Sequence, residues 1–179
     1  MKTKLVPLIV CAASACLRLT ASDPGDRAAD FEKLAHGIIA QAVAGKIDPA
    51  AIQRDVAKME ALAAAFAADY KAKFPAGTKV LDFMLARKDG LCALSLEEID
   101  AQYELEAISK AHGAELGLDL LAEENEHFGN AIDLFVHPAT ALICADLYQK
   151  DHKEEHLRRI QSELQEVIEH CHKVVARLK

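Results

Sequence analysis

The residues best suited to chemistry are histidines and carboxylates at helical spacing. His152 and His156 lie four residues apart, so both imidazoles would project from one helix face at a spacing that can hold a metal ion. Glu123 and His127 repeat this spacing. If the chain turns back at His137-Pro138, Glu123 and His127 come within about one helical turn of His152 on the partner helix. Helical bundles bind zinc, copper or iron with such inward-facing nitrogen and oxygen donors.

The same donors also suit an ordinary solvated helix face. The stretch 149–155 around His152 is almost uniformly polar, and a glutamate and a histidine four residues apart are common on helices. His170 and His172 are a second group, but they would diverge by about 200° around a helix and cannot close on one ion. The sequence therefore predicts no cofactor first, and a zinc, copper or iron site as the alternative.

The cysteines allow one internal disulfide bridge at most. Cys92, Cys144 and Cys171 follow the N-terminal region, and none belongs to a C-x-x-C unit. With a turn at His137-Pro138, Cys171 would lie near the loop that carries Cys92. The pattern predicts a Cys92–Cys171 bridge with Cys144 as a buried free thiol, and three free thiols as the alternative.

The same predicted turn places two apolar residues at the tip of the hairpin. Phe135 and Val136 lie beside Pro138, and exposed there they would form a docking site for a partner protein. The alternative is that both residues pack under a neighbouring helix.

Helix-forming residues dominate the elements that must position these groups. The chain has no Trp, and alternating strand-like patterns are nearly absent. Asp48-Pro49 and the capping box that begins at Ser95 are helix starts. We predict an all-α bundle of about five helices, built on a long antiparallel hairpin of the last two. The predicted segments are 26–44, 49 to nearly 75, 79–87, 96–135 and 138–178.

The N-terminus has the pattern of an export signal. Lys2 and Lys4 precede the apolar run 5–15, which is too short to span a bilayer as a helix. We predict a signal peptide over 1–21, a linker over 22–27 and a single helical domain over 28–179. The alternative is cleavage before Cys16, which would then carry a lipid. Both predict an exported protein, periplasmic or envelope-associated in a bacterium and secreted otherwise.

The charge balance narrows the partners. The net charge is −7, and it becomes −10 without Lys2, Lys4 and Arg18, since no acidic residue precedes Asp23. Such a chain is a poor ligand for nucleic acid or an anionic membrane surface, and a basic protein is the expected partner. A lipid on Cys16 would be its only membrane attachment.

Enzyme motifs such as G-x-S-x-G, H-E-x-x-H and a glycine-rich phosphate loop are absent from the sequence. We therefore expect no catalytic residues and no enzyme activity. The first functional prediction is an exported helical binding protein, for example an inhibitor, immunity-type protein or assembly factor for a basic partner. The alternative is a metal-binding or metal-sensing helical bundle that uses Glu123, His127, His152 and His156.

Overall fold

The computed structural model describes residues 23–179, which form α-helices and no strand. The predicted all-α class is confirmed, but this range contains seven helices instead of about five. The predicted signal peptide and the alternative lipidation of Cys16 lie outside the described residues. The predicted linker 22–27 is not observed as such, because the first helix already begins at Pro24. The helices are α1 (Pro24–Val43), α2 (Pro49–Lys73), α3 (Thr78–Leu91), α4 (Leu96–Tyr103), α5 (Leu105–Leu116), α6 (Glu126–Asp151) and α7 (Glu154–Leu178).

Local capping chemistry fixes several helix starts. The side chain of Asp48 accepts a hydrogen bond from the backbone N–H of Ala51 at 3.1 Å, with Pro49 in the first helical position of α2. At α4, the N–H of Glu98 donates to Ser95 Oγ at 3.2 Å, and the N–H of Ser95 donates to Glu98 Oε2 at 2.8 Å. Both starts agree with the sequence.

The predicted fourth helix, 96–135, is three separate helical segments. Glu104 has extended backbone between α4 and α5. Gly117 ends α5 in the left-handed region at φ 69°, which a residue without Cβ adopts at little cost. A loop and the short 3-10 helix Glu123–Asn125 then lead into α6. The apolar spacing alone did not reveal these interruptions.

The predicted turn at His137-Pro138 is wrong, because α6 continues through Pro138. Proline inside a helix removes a hydrogen bond and costs about 3 kcal/mol. Here α6 is the central helix, buried almost continuously from Phe128 to Ala145. We attribute the uninterrupted helix to this burial, since fully burying one large apolar side chain contributes about 1.5–3 kcal/mol.

The hairpin instead turns at His152 and Lys153, between α6 and α7. His152 ends α6 with φ 54°, in the left-handed region. The carboxylate of Asp151 accepts a hydrogen bond from the N–H of Lys153 at 3.1 Å and contacts His156 Nε2 at 3.1 Å. A long antiparallel hairpin therefore exists, but it consists of 126–151 and 154–178 rather than the two segments predicted.

The core lies between α6 and the helices around it. α6 packs most extensively against α7 and also against α2 and α3, while α1 covers α7. The stretch Glu123–Asp151 is long and apolar enough to cross a membrane, but 72% of its apolar window is buried inside the bundle. Its apolar composition is accounted for by its central position.

Candidate metal centre

The hairpin brings together three donors that lie far apart in the predicted arrangement. Asp133 and His137 are four residues apart on α6, so they share one face of the helix. His170 on α7 faces them. One ligand atom from each of the three side chains lies within 4.8 Å of the other two. Among the described residues, these three side chains form the cluster that could hold a metal ion. The site is partly buried between the two helices.

A neighbouring amide determines which nitrogen of His170 carries the proton. Asn130 Nδ2 donates to the backbone carbonyl of Glu126 at 3.3 Å, so Asn130 Oδ1 faces His170. His170 Nδ1 lies 2.7 Å from that oxygen and must donate to it. Nε2 of neutral His170 therefore presents a lone pair towards Asp133 Oδ2, 3.5 Å away. Two electron-pair donors that face each other at this distance are arranged as for a shared cation.

His137 is held by a carboxylate in the manner of many metal-binding histidines. His137 Nδ1 lies 2.6 Å from Glu163 Oε2, and both side chains are largely buried. Glu163 also accepts a hydrogen bond from Arg159 Nε at 3.1 Å, and Arg159 Nη2 reaches Asp100 at 2.9 Å. This chain fixes the ring of His137, leaving Nε2 for a ligand. The rings of His137 and His170 are stacked, with centroids 5.3 Å apart.

Burial and neighbouring charges displace the pKa values of all three side chains at the site. Burial raises the pKa of Asp133 to about 6, although the charge of His137 opposes this. Burial, together with the positive charges of His137 and Lys173, lowers the pKa of His170 to about 4. Burial alone would lower the pKa of His137, but the hydrogen bond that His137 donates to Glu163 and the charge of Asp133 outweigh it and raise the pKa. Metal-free, the site thus holds an ionised Asp133 at neutral pH only at an energetic cost.

The donor set fits a divalent transition metal better than calcium or magnesium. Two imidazole nitrogens and one carboxylate suit zinc and its neighbours, whereas calcium and magnesium prefer oxygen donors. Donors around a tetrahedral zinc ion stand about 3.3–3.5 Å apart, so side-chain shifts of roughly 1–1.5 Å would close the site. A cavity of about 220 Å³ lined by Asp133, His137 and Glu163 adjoins it and gives a fourth ligand access.

The four donors predicted from the sequence are not brought together. Glu123 lies in the short 3-10 helix before α6 and His127 in the first turn of α6, whereas His152 and His156 lie just beyond its far end. A helix of this length separates His127 from His152 by about 37 Å. His152 forms the turn and His156 contacts Asp151, so both have structural roles. The error follows from placing the turn at His137-Pro138.

The three thiols within residues 23–179, those of Cys92, Cys144 and Cys171, are free, and the predicted Cys92–Cys171 bridge is not formed. Cys92 lies near Asp146, towards the C-terminal end of α6, whereas Cys171 lies near Glu32 of α1. Burial raises the pKa of Cys92 to about 11 and that of Cys144 and Cys171 to about 12. Thiols in such surroundings stay protonated and react slowly.

The predicted docking residues are buried. Phe135 is 1% exposed and Val136 is 9% exposed, because both lie in the middle of α6 instead of at a hairpin tip. The packed alternative is therefore the one observed.

Sequence reasoning missed Asp133 and His137, although a usable signal was present. Their spacing is the same as that of Glu123 and His127. His170 was considered only with His172, which indeed points elsewhere and contacts Glu32 at 3.3 Å. Placing a turn at Pro138 removed His137 from any helix face and concealed the group.

Comparison with known proteins adds no relative. No protein-family model matches the chain, and neither a curated protein nor a solved structure is significantly similar to it.

Proposed function

We propose that this protein binds a divalent transition-metal ion, with zinc as the first candidate, through Asp133, His137 and His170. The observation that carries this proposal is the convergence of three donors from two packed helices, with both histidines held through Nδ1 by neighbouring acceptors. Such support by outer hydrogen bonds is characteristic of metal-ligating histidines. Three protein donors with an adjacent cavity would leave one position for water or an exchangeable ligand.

The proposal takes up the alternative function given by the sequence, a metal-binding helical bundle, rather than the first one, an exported binding protein, and it changes the metal-binding residues. Export directed by the predicted signal peptide 1–21 remains a prediction. If the protein is exported, the metal site would act outside the cytosol. The basic protein partner also remains a prediction from the net charge of −7. The large exposed apolar side chains of the described residues, Val43 and Leu121, lie on separate segments and favour no docking face.

Zinc titration of the metal-free protein by calorimetry tests the proposal. We expect saturable binding of one ion, and a loss of at least about 100-fold in affinity for His170→Gln or Asp133→Asn. Glu163→Gln keeps all three donors but loses the charged partner of His137, and we expect a 10–100-fold loss. Cobalt substitution provides a second readout, because its visible spectrum reports the nitrogen and oxygen donors.

The matched control is His152→Asn. This substitution removes one of the four metal ligands predicted from the sequence. Asparagine tolerates the left-handed backbone conformation of residue 152. Its zinc affinity should equal that of the unmodified protein. Absence of zinc, copper and iron binding in the unmodified protein, or full binding by His170→Gln, would overturn the proposal.

A further inference from the structure

A second polar pocket lies at the end of the hairpin where α6 begins and α7 ends. Its volume is about 320 Å³, and its lining includes His127, Asn130, Lys173 and Arg177, together with Glu126. Lys173 and Arg177 are four residues apart on α7, so their side chains share one face. Two cations therefore converge on one concave surface of an acidic protein.

Lys173 and Arg177 form no close ion pair among residues 23–179, although the charge of Lys173 is near enough to lower the pKa of Asp133. By contrast, Arg158 and Arg159 on the same helix do form ion pairs. Glu126 lines the pocket but makes no ion pair with either cation. The N-terminal end of the 26-residue helix α6 adds the positive end of its dipole, and no side chain caps it.

Buried polar atoms beside the pocket also lack partners. Nδ1 of His127 and the hydroxyl of Tyr70 are buried without a hydrogen bond within the described part of the chain. The two rings lie 5.7 Å apart, and Tyr70 is fully buried. Arg177 is close enough for its charge to act on both groups. For His127, burial is the larger effect and lowers the pKa, and the charge of Arg177 lowers it further. For Tyr70, burial outweighs the charge of Arg177 and raises the pKa to about 12. Unpartnered groups of this kind are rare in folded proteins and call for an explanation.

We propose that this basic pocket binds a small free oxyanion of the phosphate class, held by Lys173 and Arg177. Ammonium and guanidinium groups are the side chains that bind phosphate oxygens, the guanidinium with two parallel hydrogen bonds. The small volume of the pocket suits a small dissolved anion. The net charge of −7 disfavours binding of the whole protein to an anionic lipid surface. The proposal does not rest on the metal centre, because none of its three donors lines this pocket, although Asn130 lines the pocket and also contacts His170.

Phosphate titration of the metal-free protein in a chloride buffer tests this proposal, with the NMR signals of the His127 ring as the readout. We expect saturable shifts for the unmodified protein and at least a tenfold weaker affinity for Lys173→Gln combined with Arg177→Gln. Glu126→Gln removes the carboxylate of the pocket and should strengthen phosphate binding several-fold.

The matched control is Arg158→Gln, which removes one exposed positive charge from the other end of α7. Its phosphate affinity should lie within twofold of the unmodified protein, and circular dichroism checks that all variants fold. Vesicles of phosphatidylglycerol form a separate arm. Binding to vesicles without binding of inorganic phosphate would overturn the proposal. We take a Kd of about 1 mM as the weakest affinity that the proposal allows, so the absence of saturation at about 20 mM phosphate would also overturn it.

Zinc titration of the same double variant separates the two proposals. Retained zinc binding with lost phosphate binding supports the pocket and leaves the metal centre intact. Loss of zinc binding by His170→Gln with unchanged phosphate binding gives the converse result.

Discussion

Replacing Asp133 with asparagine should stabilise the metal-free protein at neutral pH. Asn has nearly the shape of Asp and can turn an amide N–H towards the lone pair of His170 Nε2, and it removes a carboxylate that burial disfavours. The pKa of Asp133 is raised from 3.8 to about 6, and each pKa unit corresponds to 1.36 kcal/mol, so ionisation costs up to about 3 kcal/mol. The side chain is 30% exposed, and solvent screening reduces the expected gain to about 1–2 kcal/mol.

The pH dependence of this gain follows from the direction of the shift. A carboxyl with a raised pKa binds its proton more tightly in the folded protein. Its contribution to stability is therefore greatest below about pH 4 and is lost as the pH rises through about 6. Asp133→Asn should exceed the unmodified protein in stability above pH 6, and the two should converge near pH 4.

A neighbouring histidine changes stability in the opposite direction. Burial lowers the pKa of His170 from 6.5 to about 4, so the unfolded chain takes up this proton first and stability falls as the pH drops from 6.5 towards 4. This effect is present in both proteins. The difference between their free energies of unfolding therefore cancels the His170 contribution and reports Asp133 together with its effect on the pKa of His137.

Urea unfolding followed by circular dichroism measures the difference, since the chain has no Trp for fluorescence. The measurement is made with a chelator at pH 8 and at pH 4. Zinc should then reverse the order at pH 8, because an ion at 1,000 times its Kd stabilises the unmodified protein by about 4.1 kcal/mol. A variant less stable than the unmodified protein at pH 8 without metal, or a difference independent of pH, would refute the reasoning.

Two further predictions concern packing. Phe135→Ala should lower the free energy of unfolding by about 3–5 kcal/mol, because the side chain of Phe135 is only 1% exposed. An unchanged midpoint of urea unfolding would mean that Phe135 lies at the surface. Gly77→Ala should cost about 1–3 kcal/mol, because a Cβ there would fall 1.8 Å from Phe128 Cε1. Gly37→Ala, whose Cβ would meet nothing within 4 Å, should instead stabilise α1 by about 0.5–1 kcal/mol, and equal effects of the two would contradict this account.

Local signals in the sequence were sufficient for the fold class and for several helix starts. The proline after Asp48 and the capping box at Ser95 act through neighbouring atoms, and they can be recognised without knowing the fold. Pro138 could not be interpreted in this way. Whether a proline ends a helix depends on how deeply the surrounding turns are buried, and burial is a property of the whole bundle.

The candidate site depends on where the chain reverses direction between α6 and α7, and this position follows from whether Pro138 ends the helix. The turn position sets which residues of α6 face which residues of α7, so a turn at His152 rather than Pro138 pairs His137 with Glu163 and Asp133 with His170. The histidines themselves were visible in the sequence. Their partners were not, because the register of two long helices depends on where the chain reverses.

Pro138 also has a mechanical consequence for the metal centre. Proline has no N–H to donate to the carbonyl of Leu134, so α6 lacks one hydrogen bond in the turn that carries Asp133 and His137. We expect this turn to be more compliant than its neighbours, because it has one backbone hydrogen bond fewer to lose when it tightens. In the proposed metal site, the hydrogen bond missing from α6 would therefore lie where Asp133 and His137 would have to move closer together to bind an ion.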